Sequence, residues 1–535
     1  MNRILAACAG GAFVLGLAQA ALSGTALVGT ALADDLTIGL ASEPSALDPH
    51  YHNLTPNNAA WQHIFDGLIS QDAKQRLQPG LAVAWKPLDA TTWEFDLRKG
   101  VTFHDGTPFD AEDVIYTIRR IPNVANSPSS FTIYTKSIAS MEAKDPYTLI
   151  IKTEAPRPLL PTELSNLAII SKETCEGASG GDWPKTEDFN SGTLAVGTGP
   201  YKFAEFVKGD RLVLTRNDDY WGGKPTWDKV TFKPISSDGP RVAALLSGDV
   251  DVIDNPPTQD LPRLKADKNI NVYSGLSNRV IYLHMDQFAD DTPGVQGTNG
   301  RNPFKDKRVR EAVSKAIDRK AIVEKIMGGV AVAAEQLLPK GMFGADPALE
   351  VEAYDPAGAR KLLAEAGYPD GFKLVLGTPN DRYINDEKVA QAVAQFLTRV
   401  GIQTTVDAST KSVFFKRRNS YEFSMYLAGW GSGTGEMSSP LRALVATPDK
   451  EKGYGGTNRG RYSNPAVDAK IDEALQTLDD AGREKLLQEA SDLVIKDYGI
   501  LPLHYEVTSW ATRKGLAYEP RTDQYTSAMS VTQAQ

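Results

Sequence analysis

Strand-like and helix-like segments alternate along almost the whole chain, and this alternation limits the fold more than any other feature. Short apolar runs such as LTIGL (36–40), NVYSG (271–275) and RVIYLHM (279–285) have the length of separate strands, whereas longer segments carry apolar residues at helical spacing. Residues 303–500 have the pattern of an α/β unit, and residues 505–535 are strand-like again. A chain that returns to its first unit predicts an α/β protein of two lobes, joined by two crossings with a cleft between them.

Size and charge support this division and exclude one class of partner. The 535 residues exceed what one hydrophobic core usually contains, so we expect two or three structural units. Hydrophobic residues make up 41% of the chain and charged residues 23%, which is typical of globular proteins. The formal net charge is −9. Because no basic surface is evident, we expect no nucleic-acid partner.

The first 33 residues have the pattern of an export signal. Arg3 is the only charged residue before Asp34, and residues 4–32 are mostly Ala, Gly, Leu and Val. Ala31-Leu32-Ala33 places small residues at both positions that determine cleavage, so we predict cleavage after Ala33. The alternative is an uncleaved membrane anchor, since the apolar stretch is long enough to span a bilayer. Cleavage predicts a soluble periplasmic protein in which Cys175 is the only cysteine and an inert thiol.

No motif predicts catalysis, a cofactor or a metal. Residues 177–181 match G-x-S-x-G, but we place them in a loop, whereas a nucleophile elbow lies between a strand and a helix. Residues 431–436 miss the dinucleotide fingerprint because Glu436 stands where the third glycine belongs. His50 and His52 have no cysteine or spaced carboxylates beside them, so they do not predict a metal site. We therefore expect a protein that is not an enzyme.

Three stretches together resemble one family. They are DLRKGVTFHDGTPFDAEDVIYTIRR (96–120), VGTGPYKFAEFVKGDRLVLTRNDDYWGGKPTWDKVTF (196–232), and NPFKDKRVREAVSKAIDRKAI (302–322) followed by YDPAGARKLLAEAGYPDGF (354–372). In this order they resemble the large periplasmic solute-binding proteins of ABC importers, a family that binds peptides, nickel chelates, opines and some sugars. The resemblance covers nearly the whole chain after the predicted signal.

The resemblance implies a periplasmic-binding-protein-like fold of class II type, with two lobes and an extra α+β subdomain. Lobe I would comprise 34–77, 200–283 and 505–535, the extra subdomain of lobe I would comprise 78–199, and lobe II would comprise 284–504. Members of this family close their lobes over a ligand, and the closed form docks on a membrane permease. We therefore expect a monomer that captures a small solute and delivers it to an ABC permease. The alternative from another class is a periplasmic chaperone or signalling adaptor with no role in import.

The glycine-rich bend AGWGSGTGE (428–436) is the first candidate for the ligand site. Glycines allow a ligand to approach the main chain closely, and tryptophan offers a large rigid surface with one hydrogen-bond donor. The resemblance implies that this strand end lines the cleft. The alternative is a structural bend whose indole packs into the lobe. The candidate ligand-binding residues of this bend are Trp430, Gly431, Ser432, Gly433 and Thr434.

Gly433 bears on the class of ligand. Peptide-binding members commonly place an aspartate three residues after the tryptophan, where it pairs with the ligand's α-amino group, and here that position is Gly433. The form GWGSGTGE followed by Leu441-Arg442 more closely resembles the glutathione-binding branch, with hydroxyls of Ser432 and Thr434 in place of the carboxylate. The candidate solutes are a small peptide-like or other polar anionic molecule, glutathione, an opine or sugar phosphate, and an oligosaccharide.

Arg382 is the predicted anion anchor. It follows TPND and precedes Tyr383, at a position that resembles the place where dipeptide-binding members keep an arginine for the ligand carboxylate. A guanidinium group donates two parallel, charge-assisted hydrogen bonds to a carboxylate or phosphate. The alternative is an ordinary surface arginine. Further candidate ligand residues are Tyr383, Arg279 and Arg442, and, in the first loop, Glu43, Ser45 and His50.

Overall fold

The computed structural model describes residues 35–180 and 183–534. The predicted signal peptide and its cleavage after Ala33 lie outside these residues. Within them, no helix combines the length and the apolar composition that crossing a membrane would require.

Most of the strands belong to one large sheet. The described residues form the strands β1 (Asp35–Leu40), β2 (Ile69–Gln71), β3 (Leu77–Pro79), β4 (Ala82–Pro87), β5 (Thr92–Leu97), β6 (Ile138–Asp145), β7 (Thr148–Thr153), β8 (Tyr201–Val207), β9 (Arg211–Arg216), β10 (Lys229–Pro234), β11 (Val252–Asp254), β12 (Ile270–Met285), β13 (Val295–Gln296), β14 (Ala331–Ala333), β15 (Phe372–Pro379), β16 (Ile402–Ser409), β17 (Met425–Gly431), β18 (Leu501–Arg513), β19 (Leu516–Tyr518) and β20 (Val531–Gln533). In the described chain, 12 strands form a single sheet in the order β13-β15-β17-β12-β18-β11-β1-β10-β9-β8, with β14 paired to β18 and β16 to β15.

The helices differ in how they begin, and several have a side chain that caps the first turn. They are α1 (Thr55–Ile64), α2 (Ala111–Arg120), α3 (Thr132–Thr135), α4 (Leu160–Leu164), α5 (Lys172–Ser179), α6 (Thr186–Asn190), α7 (Asp238–Ser247), α8 (Leu261–Ala266), α9 (Lys307–Lys315), α10 (Arg319–Ala321), α11 (Pro356–Glu365), α12 (Asp386–Arg399), α13 (Lys411–Asn419), α14 (Ser438–Pro440), α15 (Pro465–Ala474) and α16 (Asp480–Lys496). The Asp355 side chain accepts a hydrogen bond from the Gly358 N–H and starts α11. Residues 172–179 are helical, so the G-x-S-x-G match begins in α5 and not in a loop as we predicted.

Two long strands, β12 and β18, connect the two lobes. They pair over Ile270–Leu276 and again over Val280–Leu283, with a shift of register between the two parts. On one side of this shift β18 also pairs with β11, and on the other side β12 pairs with β17. The prediction of separate strands at NVYSG and RVIYLHM is therefore wrong, because one partner strand runs past both segments and joins them into β12.

A separate sheet and core lie within the range that we predicted as the extra subdomain. Strands β4, β5, β7 and β6 form a four-stranded sheet, and an apolar cluster that includes Phe95, Phe109 and Ile151 packs against it. Cys175 is buried, and burial raises the pKa of its thiol to about 12, as expected for an unreactive cysteine. The numbered lobe boundaries stay a prediction.

Candidate functional site

A cavity of about 890 Å³ lies between the two lobes, a size typical of small-molecule sites. Strand β1 is parallel to β10 and β11, and β15 is parallel to β16 and β17. The segments that follow β1, β11 and β15 all line the cavity, together with the crossing strands and the C-terminal segment. The cavity thus lies at the carboxyl ends of parallel strands, where loops of α/β proteins place ligands.

Three arginines line this cavity, and two of them, Arg279 and Arg382, lie close to each other on one wall. Arg279 is 8% exposed, and its Nε donates to Gln524 Oε1 at 2.8 Å and lies 3.4 Å from Glu506 Oε2. Burial and the nearby positive charge of Arg382 lower the pKa of Arg279. The guanidinium of Arg382 is half-buried and has no hydrogen bond or ion pair within the described part of the chain. Because Glu506 balances one of the two charges, this wall carries an excess positive charge with free donors.

Main-chain hydrogen bonds hold the loop that carries Arg382. Asp386 Oδ2 accepts from the N–H groups of Arg382 and Tyr383, each at 3.0 Å. Glu506 Oε1 accepts from the N–H of Ile384 at 3.2 Å, which ties the loop to β18. The Tyr383 hydroxyl donates to the Gly429 carbonyl at 3.1 Å. The backbone of this loop is therefore fixed, and the Arg382 guanidinium lies over the Tyr383 ring, with Cζ 5.1 Å from the ring centroid.

The first two glycines of the bend make room for residues that line the cavity. A Cβ at Gly429 would lie 2.8 Å from Cε1 of Tyr383, and a Cβ at Gly431 would lie 3.1 Å from Nη2 of Arg279. Both glycines belong to β17 and point to the same face of the strand. Glycine is therefore required at these two positions by the side chains of Tyr383 and Arg279, which line the cavity.

The other two glycines bring the bend against the opposite lobe. A Cβ at Gly433 would lie 3.2 Å from the Tyr134 hydroxyl, and a Cβ at Gly435 would lie 2.9 Å from Cβ of Gln75. Gly435 also has a φ of 68°, which glycine adopts without strain. The bend therefore lies between the lobes and does not lie on the outer surface.

Trp430 points away from the cavity wall. It stands between Gly429 and Gly431, so its side chain projects to the opposite face of β17. The half-buried indole packs against an apolar cluster of lobe II, and its Nε1 donates to Ser439 Oγ at 3.2 Å. Trp430 does not line the described cavity. Its role as a ligand residue stays a prediction, which this geometry does not support.

The hydroxyls of the bend are engaged within the bend itself. Ser432 Oγ donates to the Glu436 carbonyl at 3.1 Å and lies 3.4 Å from Thr434 Oγ1. The Ser432 carbonyl accepts from Asn278 Nδ2 at 2.6 Å. Glu436 Oε2 accepts from Arg483 Nη1 at 2.7 Å. The polar side chains of the bend therefore form hydrogen bonds within the protein. Ser432 and Thr434 do not line the cavity.

Arg442 lies at a contact between the extra subdomain and lobe II. Its Nη1 is 3.9 Å from Oε1 of Glu163, which also accepts from Arg157 Nε at 2.9 Å. Burial, together with the positive charge of Arg157, lowers the pKa of Arg442. Arg442 does not line the cavity and instead lies beside Glu163 at this contact.

The first loop contributes a different histidine from the one we predicted. Glu43 accepts from the Gly209 N–H at 2.8 Å, and Ser45 Oγ lies 3.0 Å from His52 Nδ1. His52 lines the cavity, whereas Glu43 and Ser45 lie beside the lining residues of this loop. Ser45 therefore contacts the cavity-lining His52 and does not itself line the cavity.

His50 is buried away from the cavity, which corrects its predicted place at the cleft. Its Nε2 lies 2.8 Å from the Ala168 carbonyl, and Arg120 Nη1 lies 2.9 Å from its Nδ1. Arg120 also pairs with Asp48, and both side chains are fully buried. Burial and the charge of Arg120 lower the pKa of His50 to about 4. His50 is therefore part of a structural network inside the protein.

Sequence reasoning missed several residues of the cavity. Asp254 ends β11, Glu506 lies on β18, Gln524 lies in the C-terminal segment, and Lys411 begins α13. The sequence offered one indication of Asp254, which is its position at the end of a short apolar strand. The others come together only through pairing over long distances in the chain.

A cavity between two lobes that share one sheet, with free anion-binding donors on its wall, defines a two-lobe solute-binding protein. The chain belongs to the bacterial extracellular solute-binding proteins of family 5, whose model matches residues 76–452. Proteins of this family bind solutes for transport and are not enzymes, and the same holds for this chain.

Known proteins resemble the chain over nearly its whole length. It is 30% identical to the glutathione-binding protein GsiB of Escherichia coli (strain K12) over 517 residues, which covers 95% of each chain. Similar identity is found with GsiB of Salmonella paratyphi A, over 94% of each chain. HbpA2 of Haemophilus parasuis is 25% identical, with a TM-score of 0.80 and coverage of 94% of this chain and 100% of that one. The periplasmic binding protein DppA of Helicobacter pylori, solved with the peptide STSA, shares the fold at 24% identity and a TM-score of 0.77, over 94% and 98%.

Proposed function

We propose that this chain captures an anionic, peptide-like solute between its lobes in the periplasm and delivers it to an ABC permease. The observation that carries the proposal is the Arg382 guanidinium, which has no hydrogen-bond or ion-pair partner in the described residues and lies beside Arg279 in the interlobe cavity. An unpaired cation at a partly buried wall is unfavourable without a ligand, and a carboxylate would satisfy its donors. The anionic group of the solute therefore binds at Arg382.

Glutathione is the first solute to test. The GsiB relatives are named for glutathione binding, and the resemblance extends over nearly the whole chain. The third position after Trp430 is Gly433, which has no carboxylate, whereas the peptide-binding members commonly have an aspartate there. Glutathione carries two carboxylates, and Arg279 and Arg382 place two guanidinium groups on one wall of the cavity.

The proposal includes the form in which the protein works. Cleavage after Ala33 would release a soluble monomer, with lobe I formed by 34–77, 200–283 and 505–535, its extra subdomain by 78–199, and lobe II by 284–504. Mass spectrometry of the protein purified from the periplasm would give the cleaved N-terminus, and size-exclusion chromatography with light scattering would give the oligomeric state. A dimer, or an N-terminus that retains residues 1–33, would contradict this part of the proposal.

Two measurements test the function. In thermal unfolding, reduced glutathione at about 100 times Kd should stabilise the protein by about 2.7 kcal/mol, and calorimetry should give a Kd for one site. A short unblocked peptide, a sugar phosphate and a neutral oligosaccharide serve as comparison solutes. Native mass spectrometry of freshly purified protein would detect a retained solute. If no solute shifts the unfolding temperature and none is retained, the protein is an adaptor and the proposal of a receptor fails.

A further inference from the structure

Asp254 is a buried carboxylate on the wall of the interlobe cavity. It is 8% exposed and ends β11 in lobe I. Its Oδ1 accepts from the Ala41 N–H at 2.6 Å, and its Oδ2 accepts from Asn255 Nδ2 at 3.3 Å. Both donors are neutral. No cationic side chain lies within 4.0 Å of this carboxylate in residues 35–180 and 183–534.

The nearby arginine is committed to other acceptors. Arg241 also lines the cavity, but its Nε donates to the Asp254 main-chain carbonyl at 3.2 Å and not to the carboxylate. Its other donors bind the Ile235 and Asn255 carbonyls and pair with Asp238. Arg241 therefore fixes the turn after β11 and leaves the Asp254 carboxylate without an ion pair.

The other carboxylates of the cavity are in different situations. Glu506 pairs with Arg279. Asp238 pairs with Arg241 and is largely exposed. Asp381 is exposed to solvent and accepts from a main-chain N–H. Asp254 is thus the cavity carboxylate that combines burial with the absence of an ion pair among the described residues.

An unpaired buried carboxylate is costly, and a ligand cation would remove much of that cost. Burial penalises the charged form and raises the pKa of Asp254, and hydrogen bonds from Ala41 and the charge of Arg241 offset this only in part. A carboxylate accepts up to about four hydrogen bonds, so capacity remains for a donor from the cavity. An ammonium group would supply both the charge and the donors.

The opposite wall carries the complementary charge. The loop 381–385 of lobe II meets the loop after β11 of lobe I directly, because Asn385 Nδ2 donates to Thr258 Oγ1 at 3.2 Å. Arg382 belongs to the loop 381–385 of lobe II, and Asp254 immediately precedes the loop after β11 of lobe I. The cavity therefore has an unpaired carboxylate on one lobe and an unpaired guanidinium on the other.

We propose that Asp254 recognises a cationic group of the solute, an ammonium, while Arg382 binds its carboxylate. This inference rests on the proposed function and specifies its solute as a zwitterion. It also gives the ammonium group a partner on lobe I, where Gly433 of lobe II offers none. A solute held at both ends by different lobes binds tightly only when the lobes are closed.

Paired probes test the proposal without altering the protein. Reduced glutathione and the tripeptide Ala-Ala-Ala are each compared by calorimetry with their N-acetylated forms. Whichever unblocked probe binds the natural protein, acetylation of its amine should weaken binding about 30-fold or more, as expected for loss of a buried charge pair. Equal affinity of the acetylated form would overturn the proposal.

The variant Asp254→Asn completes the test. Asparagine keeps an acceptor for the Ala41 N–H, so we expect an unchanged fold, checked by circular dichroism. The variant should bind the unblocked probe about 30-fold more weakly and no longer distinguish it from the acetylated probe. The matched control Asp249→Asn removes an exposed carboxylate from the turn before β11, outside the cavity, and should behave as the natural protein.

The outcomes separate this inference from the proposed function. If the variant distinguishes the two probes as well as the natural protein does, Asp254 does not recognise the cation. If the natural protein binds a sugar phosphate but neither unblocked probe, the inference fails while the receptor function stands. If no probe binds and no solute is retained in native mass spectrometry, both fail.

Discussion

Replacement of Arg382 by alanine should strongly weaken ligand binding and leave the stability of the ligand-free protein nearly unchanged. The guanidinium makes no hydrogen bond or ion pair in the described residues, and its removal loses a contact with the Tyr383 ring, whose centroid lies 5.1 Å from Cζ. Such a cation–π contact contributes about 0.5 to 1 kcal/mol. Arg382 also lies close enough to the buried Arg279 to lower the pKa of that residue. Removing one of two like charges relieves repulsion on the order of 0.5 kcal/mol for a half-buried, partly screened pair, so the two effects nearly cancel.

The loss of affinity should be much larger. A carboxylate bound by a partly buried guanidinium loses two charge-assisted hydrogen bonds, which corresponds to about 2 to 4 kcal/mol, or about 30- to 1,000-fold in Kd. Arg382→Lys keeps the charge but loses the paired geometry, so we expect about 10-fold weaker binding. Arg360→Ala removes an exposed arginine of α11 in the same lobe, outside the cavity, and serves as the control.

Calorimetry with a bound solute and urea unfolding of the empty protein measure the two effects separately. We expect Arg382→Ala to bind weakly and to unfold at a nearly equal urea concentration. An unchanged Kd would show that Arg382 is an ordinary surface residue. A clear loss of stability in the empty protein would show that the side chain supports the fold, which would refute the reasoning from its free donors.

Three further substitutions test other parts of the structure. Glu163→Gln removes the negative charge beside Arg442 at the contact between the extra subdomain and lobe II. Solute release, measured by stopped flow, should therefore become about 5- to 50-fold faster. An unchanged rate of release would show that this contact does not hold the closed form together. Gly429→Ala would place a Cβ 2.7 Å from a neighbouring side chain, which should reduce stability by about 1 to 3 kcal/mol in urea unfolding, whereas Gly456→Ala, with open space around it, should have no effect. Burial lowers the pKa of His504 from 6.5 to about 4. Between pH 6.5 and pH 4 the unfolded chain therefore binds a proton at this histidine that the native protein does not, and the stability falls as the pH drops through this range. Neither ring nitrogen of His504 has a hydrogen-bond partner in the described residues, so His504→Leu should keep the stability at pH 7. The variant should reduce the slope of unfolding free energy against pH between 6.5 and 4 by about 1.4 kcal/mol per pH unit. An unchanged slope, measured by urea unfolding at several pH values, would count against this assignment.

The sequence was informative about the fold because its family resemblance and its alternation of elements are spread over the whole chain. It was less informative about the site. Arg382, Tyr383 and Arg279 do line the cavity, since the first two follow β15 and Arg279 lies within β12 opposite the end of β17. Periodicity identifies a strand but not its partner, so it could not show that Gln524 reaches Arg279 across 245 positions of the chain.

The wrong predictions have specific physical causes. His50 and His52 stand two positions apart in one loop, and the sequence does not show which of them meets the buried Arg120. The ligand role of Trp430 stays a prediction, but Trp430 lies between two glycines that face Tyr383 and Arg279, so the alternation of a strand directs its indole to the other face. Asp254 was not recognised because an aspartate after a strand usually caps a turn, and its lack of an ion pair is visible only in three dimensions.

Strands β12 and β18 run from the first lobe into the second and pair on both sides of a register shift. A protease cut or a split gene that separated these strands would expose sheet edges in both pieces, and such edges favour aggregation. The protein should therefore not be divisible into halves that fold independently. Its two lobes should melt together in one cooperative transition.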